Sequence, residues 1–166
     1  HFPGLKVVTY ATAYDAKGLL KAAIRDPDPV VFLESEMTYG LKHEVPDEEF
    51  VIPLGKANIR RSGSDLTIVT WGKEVFQVEA AAAALAEEGI EAEILDLRSL
   101  RPLDHETLFA SVAKTGRCLV AHEGFLFAGV GAEIAARVQS TRSGLDCAAK
   151  PLRSPWLGAP RGRVAP

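Results

Sequence analysis

Two carboxylates at the end of a helical pattern are the side chains best placed for chemistry. Asp26 and Asp28 stand in AIRDPDP, residues 23–29. A helix that stops there leaves its last carbonyls without intrahelical partners. Carbonyls beside carboxylates make an oxygen cluster of the kind that holds a hard cation. A plain helix end stopped by Asp-Pro carries the same residues.

His122-Glu123 closes a strand at the carboxyl edge where α/β folds place ligands. An imidazole beside a carboxylate there can do acid–base work, cap a turn or form a subunit contact. Gly129-Val130-Gly131 lies between a strand and a helix, so its backbone N–H groups can face a phosphate. Position 134 is Ile134 rather than a third glycine and there is no P-loop, so close packing of the turn explains it better. His1, His43 and His105 are scattered without metal-ligand spacing. No serine occupies a G-x-S-x-G elbow. Asp96 and Asp104 bracket a turn, where solvent-facing carboxylates are commonplace.

The elements that must position these groups alternate. LKVVTYA (5–11) reads as a strand, and from Tyr14 a helix carries Leu19, Leu20, Ala23 and Ile24 at three- and four-residue spacings. VVFLE follows Pro29 as an apolar run typical of strands buried on both faces. Strand, helix and strand make a right-handed parallel unit. Two strands and a helix bury no core alone, so this unit must pack on something else. Residues 35–64 carry Gly40, Pro46, Pro53, Gly55 and Gly63 and read as a linker with an extended piece near 50–54.

Three more alternations follow. DLTIVTW (65–71) is a strand, and Val75, Val78, Ala82 and Leu85 stripe a helix with Gly89 at its C-terminus. EAEILDL (91–97) is a strand; Asp104 caps a helix that turns Leu108, Phe109 and Val112 inward. Residues 117–121 form a third strand and 132–139 a helix. The pattern predicts an α/β sandwich with a mostly parallel sheet.

At 166 residues, 47% hydrophobic and 25% charged, the composition is that of a globular chain. Net charge is −3 with dispersed Lys and Arg, which argues against a nucleic-acid partner. The tail is the exception: Arg142, Lys150, Arg153, Arg161 and Arg163 face only Asp146, as a solvated tail or a docking surface for an acidic partner. Cys118 and Cys147 form no CxxC and point to a reducing compartment; Cys118 reads as a small core residue. No stretch is long and apolar enough for a membrane span.

Six segments carry a resemblance: PGLKVV (3–8), DAKGLLKAAIRDPDPVVFLE (15–34), IPLGKANIRRSGSDLTIVTWG (52–72), EGIEAEILDLRSLRPLD (88–104), KTGRCLVAHEG (114–124) and GVGAEIAARV (129–138). In this order the chain resembles the C-terminal portion of the beta subunit of thiamine-diphosphate-dependent 2-oxoacid dehydrogenases, of pyruvate or branched-chain type. Tyr10 and Ala13 stand where relatives usually have prolines, and the ending SPWLGAPRGRVAP matches only loosely.

The resemblance implies a remnant of the pyrimidine-binding domain (1–34), a linker (35–64) and a transketolase C-terminal-like domain (65–166), a three-layer α/β/α sandwich used for assembly. It implies thiamine diphosphate and magnesium for the whole enzyme, neither expected on this chain alone. The family's activating glutamate and active-site histidine lie upstream, so no catalytic or cofactor-binding residue is assigned here. A potassium ion is implied at Ala23, Ile24, Asp26 and Asp28. Implied partners are the dehydrogenase alpha subunit and the lipoyl acyltransferase, in a bacterial cytoplasm or mitochondrial matrix; a second copy of the chain is expected because VVFLE lacks the neighbours that should cover it. The chain alone is expected to be inactive. One rival reading is a stand-alone assembly module; a weaker one is a phosphate- or nucleotide-binding protein using the Gly129 turn. The 2-oxo acid is not identified, since neither His122-Glu123 (as in branched-chain enzymes) nor Glu44-Val45-Pro46 (as in pyruvate enzymes) touches it.

Overall fold

The computed structural model describes residues 2–125, 127–141 and 146–151. His1 and the tail arginines therefore lie outside the described residues. Strand β1, Lys6–Thr9, leads through Thr12 into helix α1, Ala13–Arg25. Thr12 Oγ1 accepts the Asp15 N–H at 3.2 Å and donates to Asp15 Oδ2 at 2.6 Å, which satisfies one of the donors orphaned at a helix start. Strand β2, Val30–Leu33, pairs parallel with β1 from Lys6↔Val30 to Thr9↔Leu33.

After a short 3₁₀ turn at Glu36–Thr38, the chain straps back over α1. Tyr14 stacks on Phe50 at 4.4 Å, Lys17 lies over the Phe50 ring, and the Ile52 N–H bonds to the Gly18 carbonyl at 3.1 Å. Gly18 is required here, because a Cβ would stand 2.6 Å from Ile52 Cγ1.

Strand β3, Asn58–Arg61, comes next, where the turn residues signalled only linker. It is followed by β4 (Leu66–Thr70), α2 (Glu74–Glu87), β5 (Ala92–Asp96), β6 (Ser99–Arg101), α3 (His105–Thr115), β7 (Arg117–His122), α4 (Val130–Thr141) and β8 (Asp146–Pro151). Among the described residues the strands form two sheets, ordered β2-β1-β6 and β3-β5-β4-β7-β8. In the larger sheet β4–β5, β4–β7 and β7–β8 are parallel, and only β3 runs antiparallel, on β5. Helix α2 covers one face of the larger sheet through Val78, Ala82 and Leu85. Helices α3 and α4 cover the other through Leu108, Val112, Ile134 and Val138 against Val69, Leu95 and Val120. This is the expected three-layer α/β/α sandwich, and Cys118 lies buried within it.

Each fully buried aliphatic side chain stabilises the fold by about 1.5–3 kcal/mol, so most apolar stabilisation belongs to the larger sheet. The smaller sheet contributes Val8, Ala11 and Leu19 to the buried core. It is fastened instead by β6, a strand the sequence did not announce, pairing antiparallel with β1 at Val7↔Arg101 and Val8↔Ser99.

The apolar run VVFLE is uncovered on one side, as expected: Val31 and Leu33 are 38% and 43% exposed. The stripe on α1 is narrower than its spacing suggests, with Leu19 buried but Leu20 and Ile24 45% and 75% exposed. In both cases no described element packs over the apolar face.

Candidate functional site

The turn singled out in the sequence is built from the end of α1 and the start of β1. The Asp26 N–H bonds to the Ala23 carbonyl at 3.3 Å, and the Asp28 N–H to Asp26 Oδ1 at 2.9 Å. From β1, Lys6 Nζ lies 2.7 and 2.8 Å from the two Asp26 oxygens and 3.0 Å from Asp28 Oδ2. Hydrogen bonds from Lys6 and then from the Asp28 N–H hold the Asp26 carboxyl below its usual range. The same contacts with Asp26 and Asp28 raise the Lys6 ammonium. One internal ammonium therefore already faces both carboxylates. The Ile24 side chain is exposed, which leaves only its carbonyl for an ion. Among the described residues no group of three or more His, Cys, Asp or Glu is arranged to hold a metal.

His122 and Glu123 separate. The His122 ring is 3% exposed and stacks on Trp71 at 4.9 Å, and burial lowers its pKa. Its Nδ1 accepts the Gly124 N–H at 2.9 Å, so a neutral ring carries its proton on Nε2. A Cβ on Gly131 would lie 2.2 Å from that Nε2, and one on Gly129 2.2 Å from the Phe125 carbonyl oxygen. The two glycines therefore make room for the imidazole and the turn, as close packing requires. Glu123 turns away to Lys73 at 2.8 Å. The burial of Glu74 beside Glu123 raises the Glu74 carboxyl.

The densest polar cluster went unread in the sequence. Asp96 and Asp104 are not solvent-facing but 0% and 5% exposed. Asp104 caps α3 through the Thr107 N–H and also accepts the Ala57 N–H, each at 3.1 Å. Burial would raise its pKa, yet these bonds hold it below the usual range. Asp96 accepts the Arg98 N–H at 3.1 Å, and burial pushes its carboxyl up to about 7. Arg98 sits at φ 54, a left-handed conformation uncommon outside glycine. Three contacts hold it there: its N–H to Asp96, its carbonyl to the Thr9 N–H at 2.8 Å, and its guanidinium to Asp15 at 2.5 Å. The T-x-x-D spacing of Thr12 and Asp15 is a capping-box signature that marks where α1 starts and one end of this cluster. Nothing local marks Arg98 as the other end.

Residues 55–161 match the transketolase C-terminal domain family. The chain belongs to this family. Its transketolase C-terminal domain carries Arg98 and Asp96, while Asp15 precedes the matched residues, so the ion pair joins the domain to the segment before it. The pyruvate dehydrogenase E1 component subunit beta of Rhizobium meliloti (strain 1021) is 55% identical over 139 residues, which are 83% of this chain and 30% of that protein. The mitochondrial pyruvate dehydrogenase E1 component subunit beta of Drosophila melanogaster is 48% identical over 164 residues, 96% of this chain and 45% of that protein. A solved structure described as a split gene transketolase, inactive beta4 tetramer, superposes with a TM-score of 0.76 at 26% identity, over 92% of this chain and 50% of that one. The chain thus spans half or less of each of these relatives.

Proposed function

We propose that this chain acts as the C-terminal part of the beta subunit of a thiamine-diphosphate-dependent 2-oxoacid dehydrogenase, and that its contribution is assembly rather than bond-making. The observation that carries the reading is 55% identity to a pyruvate dehydrogenase beta subunit across 83% of the chain. In this reading residues 1–34 close a pyrimidine-binding domain, 35–64 link, and 65–166 form the assembly domain. The 2-oxo acid is pyruvate or a branched-chain analogue, the acyl group passes to a lipoyl acyltransferase, and the compartment is a bacterial cytoplasm or mitochondrial matrix.

In this reading thiamine diphosphate and magnesium belong to the whole enzyme and are not held by this chain alone. Among the described residues no group of carboxylates is arranged for the metal, and the cleft beside the N-terminus of α1 offers few apolar walls for the cofactor's rings. Potassium is proposed at Ala23, Ile24, Asp26 and Asp28 through their backbone carbonyl oxygens, because Lys6 already occupies both carboxylates.

The test is reconstitution. The chain should co-purify with a pyruvate dehydrogenase alpha subunit, and alone it should neither decarboxylate pyruvate nor gain more melting temperature from thiamine diphosphate with magnesium than from inorganic pyrophosphate with magnesium. Stabilisation by that cofactor beyond that of pyrophosphate would overturn the reading. A second reading, a self-assembling module without catalysis, is favoured by the inactive beta4 tetramer of the similar transketolase chain. A stable homo-oligomer that ignores the alpha subunit would select it.

A further inference from the structure

The N-terminus of α1, residues 42–44, β3 and the Asp96–Arg98 turn line an open cleft of about 680 Å³. That volume falls in the range of small-molecule sites. Its walls carry three cations, Lys42, Arg60 and Arg98, against two carboxylates, Asp15 and Glu44. The charges are not equally available. Arg98 is engaged by Asp15, and Arg60 gives Nε and Nη2 to Glu79 at 2.9 and 2.7 Å. Lys42 has no ion-pair partner among the described residues, and no hydrogen bond engages the Asn58 amide there. His43 Nδ1 accepts the Ala13 N–H at 3.5 Å, which leaves Nε2–H to donate.

The cleft thus offers an ammonium, an imidazole N–H and an amide N–H, with Glu44 as the one exposed carboxylate opposing them. Its floor is the buried Asp15–Arg98 ion pair, in which Arg98 Nε has no hydrogen-bond partner among the described residues. An unpaired buried donor of this kind favours a ligand that brings an acceptor.

We infer that this cleft binds a small oxyanion, a carboxylate or a phosphate group, through Lys42, His43 and Asn58 above the Asp15–Arg98 pair. Its position between the first sheet and the transketolase C-terminal domain makes it a place where a ligand would hold the two together. This inference does not rest on the dehydrogenase reading, because the isolated chain is what binds.

The test is titration of the chain with inorganic phosphate and, separately, with malonate, at ionic strength held constant with chloride. At least one should saturate, with amide shifts confined to residues 12–15, 42–44 and 58. Saturation by phosphate alone assigns phosphate esters, by malonate alone carboxylates, and by both the shared oxyanion chemistry. Lys42→Ala, an exposed position, should weaken binding about tenfold, the loss of one charge-assisted hydrogen bond. Arg117→Ala, at the start of β7 and the opposite end of the sheet, should leave it unchanged. Linear, unsaturable responses to both anions, or equal losses in the two variants, would overturn the inference.

Discussion

Asp15 Oδ1 and Arg98 Nη2 lie 2.5 Å apart across the junction of the two sheets, with side chains only 1% and 13% exposed. Removing one partner leaves the other charge buried and unpaired, which costs about 3–5 kcal/mol, whereas replacing both costs much less. Arg98→Met should therefore lower the urea midpoint sharply, and Asp15→Asn in the same chain should recover part of the loss. Additive effects in the double-mutant cycle would show that the pair is not coupled.

Asp96 should make stability fall as pH rises. Its folded pKa stands near 7 against a reference of 3.8, so between these values the fold holds a proton that the unfolded chain has released. The stabilisation is complete below the lower value and gone above the upper one, and is on the order of 4 kcal/mol. Asp96→Asn keeps the acceptor for the Arg98 N–H and should flatten the profile between pH 4 and 7 relative to the parent. His122, whose depressed pKa acts in the opposite sense at the acid end, cancels in that comparison. Parallel profiles for parent and variant would refute the assignment.

Gly131 should resist even alanine. The new Cβ would meet His122 Nε2 at 2.2 Å, and the ring is held by Trp71 and the Gly124 N–H. Overpacking of this kind costs about 1–3 kcal/mol. Thermal unfolding should show a smaller penalty for Gly131→Ala in a His122→Ala background; an equal penalty would place the strain elsewhere.

Ala13 should accept proline. It is the first residue of α1, its N–H makes only a 3.5 Å contact with His43, and Thr12 before it is extended at φ −111, ψ 160. These are the conditions under which proline stabilises through the unfolded state, by about 0.4–1 kcal/mol. A lower melting temperature for Ala13→Pro would mean that the His43 contact matters more than its length suggests.

The larger sheet was legible because its strands and helices bury their faces, so periodicity and burial agree from Leu66 to Val138. Three things were not. Strands β3 and β6 are short and polar, NIRR and SLR, and exist because β5 and β1 offer them open edges. Asp96 and Asp104 look like surface turn residues until the chain folds a second layer over them. Arg98 gives no local sign of its positive φ, since the three contacts that impose it come from Thr9, Asp15 and Asp96. The residue types at 23–28 suggest an oxygen cluster, but the ammonium of Lys6 that faces both carboxylates comes from far back in the chain and is not foreseeable from spacing.

The open face of the smaller sheet should drive self-association. Val31 and Leu33 are exposed on alternate positions of edge strand β2, and Leu20 and Ile24 are exposed on α1. An apolar edge strand with unpaired backbone groups templates contact with another chain. Burying these side chains between copies would stabilise a dimer by roughly 1.5–3 kcal/mol for each one fully covered. Val31→Lys together with Leu33→Glu should shift sedimentation towards the monomer. Because both positions are solvent-facing, stability of the fold itself should change by no more than about 0.5 kcal/mol each. If the parent sediments as a monomer across the same concentrations, or the double variant still associates, the contact lies on another surface and β2 is an edge held apart by its own charge neighbours, Glu34 and Glu36.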